Sequence, residues 1–318
     1  MIVINLLPGQ GLGNQLWNIF AAKQLSLFND CNLQIGGYEN FKGSDFIKFK
    51  CLNIKESHVH SEFKFLEDLY YDKRLKYVNS GYDIKFKKLK PPFEIEGLFQ
   101  DERYILPLLH NEEDFISVSQ SHLGFSENLC VLNIRGGEFK RTRAQILPKS
   151  YWEIAMQVMR EQHNIEDFVI VTDDAPYSGS LFPNIPIISN SVKDCFSALM
   201  EAKYIITSNS SFSYFPIALS PTKKFILAPK FMNRFQNNTT WCSVGNIYEN
   251  YNYMDSFGGV TTASENKASM QSASKIYRDN KILVSPDDLF EVGIRKLLNK
   301  NLRRQLKKLL VNLMPSRF

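Results

Sequence analysis

MIVINLL (residues 1–7), PGQGLGNQ (8–15) and LWNIFAAKQLSLF (16–28) read as a strand, a glycine loop and a helix. Asn5 aside, the first segment is continuously apolar, the pattern of a strand buried on both faces of a parallel sheet. LCVLNI (129–134) has the same character and ends in Arg135, Gly136, Gly137 and Glu138. Beyond it the spacing predicts a helix over 148–163 capped by Ser150, and a strand over 168–171 that runs into Thr172, Asp173 and Asp174. A short strand over 185–188, a helix over 192–202 with Asp194 in its first turn, a strand over 204–207, a helix over 212–219 and a strand over 225–228 follow. Strands alternating with such helices form βαβ units, because two parallel strands need a long crossover between them. The expected fold class is α/β.

Between these anchors the signal is less regular. The stretch from Cys31 to Lys90 has no clean period and is expected to hold short helices and loops. Glu94 to Phe99 leads into a helix start at QDERYI (100–105), and a further helix is expected over 111–121. The 318 residues suffice for two cores of roughly 150 residues each. The boundary is placed near Ser126, giving halves over 1–125 and 126–292 and a tail over 293–318.

At 44% hydrophobic and 22% charged, the composition is globular and excludes a collagen-like fibre or a disordered chain. Five cysteines (Cys31, Cys51, Cys130, Cys195, Cys242) lack paired spacing, so reduced, mostly buried thiols in a cytoplasmic protein are expected. Seven apolar residues before Pro8 are too few for a secretory signal, and no run reaches the roughly 18 apolar residues of a membrane span. The sequons at Asn209, Asn237 and Asn238 are then chance matches.

The net charge of +5 is localised. Eight of the 38 basic residues and none of the 33 acidic ones lie in 293–318, so the first 292 residues carry 30 against 33, a net of −3. Leu298, Leu302, Leu306, Leu309, Leu310 and Leu313 form one helical stripe flanked by Lys and Arg. Such an amphipathic helix fits an anionic membrane surface. A helix docked on its own protein is the alternative. Nucleic acid is not an expected partner, since no aromatic is interleaved with the bases.

Polar clusters follow four strand signals: Gly11 to Gln15, Asn133 to Glu138, Thr172 to Asp174, and Ser208 to Ser213. In open α/β sheets ligands bind at the carboxyl ends of strands. Asn14 occupies the third glycine position of a dinucleotide fingerprint, so the first loop reads as a turn that approaches a phosphate or sugar, or as a plain strand-to-helix turn. Arg135, at the end of a buried strand, needs a carboxylate or phosphate partner. That partner is either a ligand or Glu138 or Asp173. Asp173 and Asp174 would hold a divalent metal only with further oxygens, and otherwise accept hydrogen bonds from a base or ribose, or cap a helix. Ser208 to Ser211 form either an anion cradle or a set of caps.

These blocks resemble the alpha-1,2-fucosyltransferase family of bacterial type. GLGNQLWNIFAAKQL (11–25) resembles its GLGNQ opening and GLFQDERYI (97–105) its glycine-aromatic-Gln block. VLNIRGGE (131–138) is similar to its HxRRxD strand end, VTDDAP (171–176) to its Asp-Asp block, ITSNSSFSYFPIALSP (206–221) to its NSSFSWW segment, and LAPKFM (227–232) to a later block. The resemblance implies a GT-B type fold, two Rossmann-like halves facing across a cleft. It also implies inverting, metal-independent transfer of L-fucose from GDP-fucose to a galactose 2-hydroxyl. The acceptor would be an oligosaccharide or lipid-linked glycan of surface polysaccharide assembly, reached by a cytoplasmic protein held at the inner face of the cell membrane.

Carried across by position, Arg135 would hold the β-phosphate, and Asn14 would meet donor or acceptor from the other half. Asp173 or Asp174 would meet the guanine or ribose, and Ser210 and Ser211, with Phe212 beside them, would cradle the diphosphate. Gln100 and Glu102 fall on the acceptor side. Glu138 and Glu102 are candidates for a catalytic base. Three positions depart from the pattern: Asn133 stands for His, Gly136 for a second Arg, and Glu138 for Asp. Lys140, Arg141 or Arg143 would replace the missing charge.

Overall fold

Strands β1 (Ile2–Asn5), β2 (Leu33–Gly36), β3 (Ile47–Phe49), β4 (Asn53–Ile54), β5 (Lys64–Leu66), β6 (Phe93–Glu96) and β7 (Ile116–Val118) lie in the first half of the chain. In this computed structural model the described residues are 1–50, 52–59, 61, 64–66, 82, 84–109, 115–141, 146–230 and 246–269. Five strands form a parallel sheet in the order β4-β2-β1-β6-β5, and β3 pairs antiparallel with β7. The polar exception in β1 has a structural role. Asn5 donates to Val59 O at 2.8 Å and accepts from Val59 N at 2.9 Å, tying the segment after β4 to the central strand.

The second half contributes β8 (Leu129–Ile134), β9 (Asp167–Thr172), β10 (Ile187–Ile188), β11 (Tyr204–Thr207), β12 (Phe225–Pro229), β13 (Asn252–Met254) and β14 (Val260–Thr261). They form one sheet in the order β10-β9-β8-β11-β12-β13-β14, parallel except for β14. Counted from β8, the first six run 3-2-1-4-5-6, the doubly wound order. The chain is thus α/β with two Rossmann-like sheets, the architecture expected of a GT-B type fold. The tail over 293–318 lies outside the described residues.

Among the described residues the helices α1 (Leu12–Phe28), α2 (Leu106–Leu109), α3 (Lys149–His163), α4 (Ala175–Leu181), α5 (Val192–Glu201) and α6 (Tyr214–Ala218) accompany the sheets, and residues 263–269 are helical as well. Between Cys31 and Lys90, where short helices and loops are expected, short 3-10 helices do occur at Tyr38–Asn40 and Ile84–Lys88, and they are accompanied by strands β2 to β5. The strands are two to four residues long, too short to show a period, and all four residues of β2 are buried. β7 stands where a helix was expected over 111–121; its pairing with β3, some seventy residues earlier, leaves no local mark. The cap of α3 is Pro148, not Ser150, with φ −68° already set for the helical entry.

The halves do not keep separate cores. α1 is buried nearly all round, with Leu16, Ala21, Ala22 and Leu25 in the core and Trp17 and Phe20 packed against α6. Trp17 lies 4.4 Å from the Tyr214 ring and Phe20 4.8 Å from Phe215. One apolar cluster therefore runs from Ile2, Ile4 and Ile35 through α1 to Val131, Val169 and Ile205 on one face of the second sheet. The opposite face, with Cys130, Leu132 and Ile134, packs on Trp152, Ala155 and Met159 of α3. Cys31, Cys130 and Cys195 are free thiols. No described helix is long and apolar enough to cross a membrane.

Candidate active site

Strand order locates the site before any side chain does. In the first sheet the chain leaves β1 toward β2 and β4 on one side and β6 on the other; in the second it reverses between β8 and β11. Such switch points leave a crevice at the carboxyl ends of the strands. The polar clusters lie at the ends of β1, β8, β9 and β11, and the two switch points touch. A Cβ added to Gly13 would come within 2.4 Å of Ser211 O and 2.7 Å of Phe212 N, so only hydrogen fits. Gly9 turns the chain at φ +81°. The close approach served by Gly13 is to the chain itself rather than to a phosphate.

Asn14, just inside α1, accepts from Ser211 Oγ at 2.6 Å and from Gln100 Nε2 at 2.7 Å, joining both halves at one oxygen. Gln100 follows Phe99, whose φ of +47° is a conformation that L side chains rarely adopt. Next in line, Glu102 is turned into the protein: it accepts from Tyr214 OH at 3.1 Å and from Glu249 N at 2.9 Å. Burial pushes its carboxyl above the ordinary range, against those two donors and Lys267. It is a buried link between the halves.

At the second sheet, Arg135 pairs with Asp173 at 2.8 Å and with Glu138 at 3.3 Å. Asp173 Oδ1 also accepts from Gly136 N at 2.9 Å, and Asp174 Oδ2 from Gly137 N at 3.1 Å, so the two aspartates clamp the Gly-Gly turn. Asp174 caps α4 through Tyr177 N and pairs with Lys140. Burial raises its carboxyl, but the Lys140 ammonium and the two backbone donors outweigh that and hold it below the ordinary range. A Cβ on Gly136 would lie 2.6 Å from Asp174 Cβ and 2.9 Å from the Tyr177 ring, so the second arginine of the family pattern has no room here. Lys140 is taken up by Asp174; the Arg141 side chain and Arg143 fall outside the described residues.

Ser210 Oγ accepts from Phe212 N at 3.3 Å, and Ser213 Oγ donates to Ser210 O at 3.2 Å. The segment is a single 3-10 turn running into the five-residue α6, with Ser210 as its cap and the Ser211 hydroxyl given to Asn14. Phe212 is half-buried, its ring 6.2 Å from Phe196.

Between β8 and β11 the polar inventory does not close. Asn133 Oδ1, Thr207 Oγ1, Ser208 Oγ and Arg135 Nε are buried and have no hydrogen-bond partner among the described residues. Asn133 and Thr207 are register partners, so their side chains share a face, and Ser208 N donates to Asn133 O at 3.1 Å. A buried polar group left without a partner is costly, and these four lie at the ends of two adjacent strands at the switch point. Thr207 went unread in the sequence, although a polar residue ending an apolar strand was the available signal. Asn246, 6% exposed, donates to Gln100 Oε1 at 2.7 Å from a segment with no pattern that marks it. Among the described residues no group of three or more His, Cys, Asp or Glu is placed to hold a metal ion.

No family model and no curated protein matches the chain. Among solved structures it is similar to a point mutant of Arabidopsis thaliana FUT1 in complex with GDP, at 12% identity and TM-score 0.46 over 75% of this chain and 71% of that one. A glycosyl transferase family 9 protein from Veillonella parvula matches at 11% identity and TM-score 0.44, over 86% and 96%. NodZ, an alpha-1,6-fucosyltransferase soaked with GDP-fucose, matches at 12% identity and TM-score 0.43, over 74% and 97%. Likeness at this distance leaves donor, acceptor and linkage to the residues themselves.

Proposed function

We propose that the chain is a glycosyltransferase that takes a nucleotide-sugar donor at the β8–β11 switch point. The donor is GDP-fucose, and the product an inverted fucosyl linkage to a galactose 2-hydroxyl of a surface-polysaccharide glycan. The observation that carries the reading is the set of buried, unpartnered polar atoms on Asn133, Thr207, Ser208 and Arg135. They are neutral donors and acceptors beside one guanidinium, which suits a ribose or base edge next to a phosphate. The block resemblance supplies the sugar and the linkage.

In this mechanism Arg135 exchanges part of its contact with Asp173 and Glu138 for the leaving diphosphate. A fixed cation aimed at developing charge lowers the barrier without metal. Glu138, with its side chain 66% exposed, is the carboxylate beside Arg135 that is free to turn toward an acceptor hydroxyl. A transition state rich in oxocarbenium character needs only modest help from it. Glu102, held by Tyr214 and Glu249 N, is not that base.

A second reading keeps the site and changes the nucleotide sugar. Asn133 favours it, since it stands where the resembling blocks have His. A screen of nucleotide sugars against galactoside acceptors decides between them: transfer from GDP-fucose supports the first reading, and a different preferred donor the second. Donor binding without turnover would instead make the chain a carbohydrate- or nucleotide-binding protein. Arg135→Ala is expected to lower kcat by about 10²–10³. Undiminished transfer would remove Arg135 from the site.

For the tail, outside the described residues, we propose an anionic membrane surface as partner, which would place the protein at the inner face of the cell membrane. Removing 293–318 is expected to lower binding to anionic vesicles, most at low salt. Unchanged binding contradicts the proposal.

A further inference from the structure

Asn246 Nδ2 donates to Gln100 Oε1 at 2.7 Å, and Gln100 Nε2 donates to Asn14 Oδ1 at 2.7 Å. Three carboxamides in line thus point the same way. A carboxamide has an acceptor at one end and donors at the other, so fixing one end fixes what the other offers. Asn246 and Gln100 are both more than nine-tenths buried, while Asn14 is half-buried at the meeting of the two switch points. Ser211 Oγ donates to the same Asn14 oxygen at 2.6 Å, and among the described residues no acceptor takes the Asn14 Nδ2. Its N–H is what the protein presents to the crevice.

We propose that Asn246 and Gln100 are positioning residues, acting through Asn14, that set this point of the site as a hydrogen-bond donor. The substrate group met there is then an acceptor oxygen, of a phosphate or a sugar. A second observation points the same way. Phe99 holds φ +47° although its ring is fully buried near Phe86 and Tyr104, so the packing imposes an unfavoured backbone on the residue just before Gln100. Strain of that kind persists where the surroundings over-determine it, and it clusters at functional sites.

The inference rests on the glycosyltransferase reading for its substrate but not for its polarity. Asn14→Asp keeps an acceptor for Ser211 and Gln100 and removes the outward donor; kcat/KM for the donor is expected to fall about tenfold or more. Asn246→Asp cannot donate to Gln100. Gln100 must turn its amide toward the new carboxylate and its oxygen toward Asn14, which reverses the relay and reproduces the loss. Asn246→Ala, free of a buried charge, leaves Gln100 able to turn and is expected to give a smaller loss in the same direction. In an Asn14→Ala background, neither change at 246 should cost anything further.

A merely structural Asn246 predicts lowered unfolding midpoints and losses that add to that of Asn14→Ala; that additivity overturns the proposal. So does an Asn14→Asp variant of full activity, which would mean that the relay points the other way. If the wild type turns over no nucleotide sugar, the functional reading fails, and the same variants are read by calorimetric GDP affinity with the same expected pattern. A wild type that neither turns over a nucleotide sugar nor binds GDP overturns both.

Discussion

A single hydrogen at Gly13 lets the two halves of the molecule touch at the carboxyl ends of their strands. The atoms it faces, Ser211 O and Phe212 N, are backbone and cannot rotate away. Gly11, two residues earlier in the same loop, has nothing within 4 Å of a Cβ and an ordinary φ of −71°. The glycines of GQGLG therefore have unequal roles. Gly13→Ala is expected to destabilise the protein by about 1–3 kcal/mol through overpacking and to disturb the Asn14–Ser211 contact. Gly11→Ala should stay within about 0.5 kcal/mol of the wild type. Urea unfolding of the two variants checks the contrast, and equal effects would dissociate Gly13 from the interface. Gly136 makes a parallel case at the other loop, where Asp174 and Tyr177 fill the space of a side chain.

The segment between the sheets shows the same close fit at the scale of an element. After β7 the chain runs along α5, where Ser121 N meets Ser197 Oγ at 2.9 Å and Ser121 Oγ meets Asp194 Oδ1 at 2.9 Å. Glu201, at the end of α5, accepts from Leu123 N and from Phe125 N, each at 2.7 Å. This connection is fastened to α5 along its length. A hydrogen bond to a charged group is worth about 1.5–3 kcal/mol, and two exposed backbone donors would turn partly to water, so Glu201→Ala should cost about 1.5–3 kcal/mol. A stability unchanged on calorimetry would show the connection to be loose. These contacts were not legible in the sequence, because each joins residues more than seventy positions apart. β1, β8, β9 and β11 were legible, since strands buried on both faces are written as apolar runs ending in polar residues. The same endings placed Asn14, Asn133, Arg135, Asp173 and Ser211 at or just beyond a sheet's carboxyl edge. What the sequence hid was which of these groups the protein uses on itself.

At the scale of the molecule, the shared core around α1 and the fastened connection pack the two sheets together among the described residues, with the candidate site at their seam. Glu102 lies in that seam, linking the loop after β6 to α6 through Tyr214 OH and to the approach to β13 through Glu249 N. Burial raises its carboxyl above the ordinary value of 4.5, the charge of Glu249 adds to the rise, and the N–H of Glu249, the Tyr214 hydroxyl and Lys267 oppose it without cancelling it. In the unfolded chain the group titrates near its ordinary value. Between that value and the raised one, the folded protein holds more proton than the unfolded chain, so this group's contribution to stability falls as pH rises. Below 4.5 the contribution is fully present, and above the raised value it has been lost. Glu102→Gln carries no titrating proton, keeps the shape, and can still accept from one of the two donors. The stability difference, wild type minus variant, is therefore expected to be greatest below 4.5, to decline as pH rises toward neutrality, and then to level off. Denaturant midpoints at stepped pH measure it, with the other carboxylates cancelling in the difference. A difference that grows with pH would mean that the Tyr214 and Glu249 donors win over burial, and that the seam is held by an ionised carboxylate.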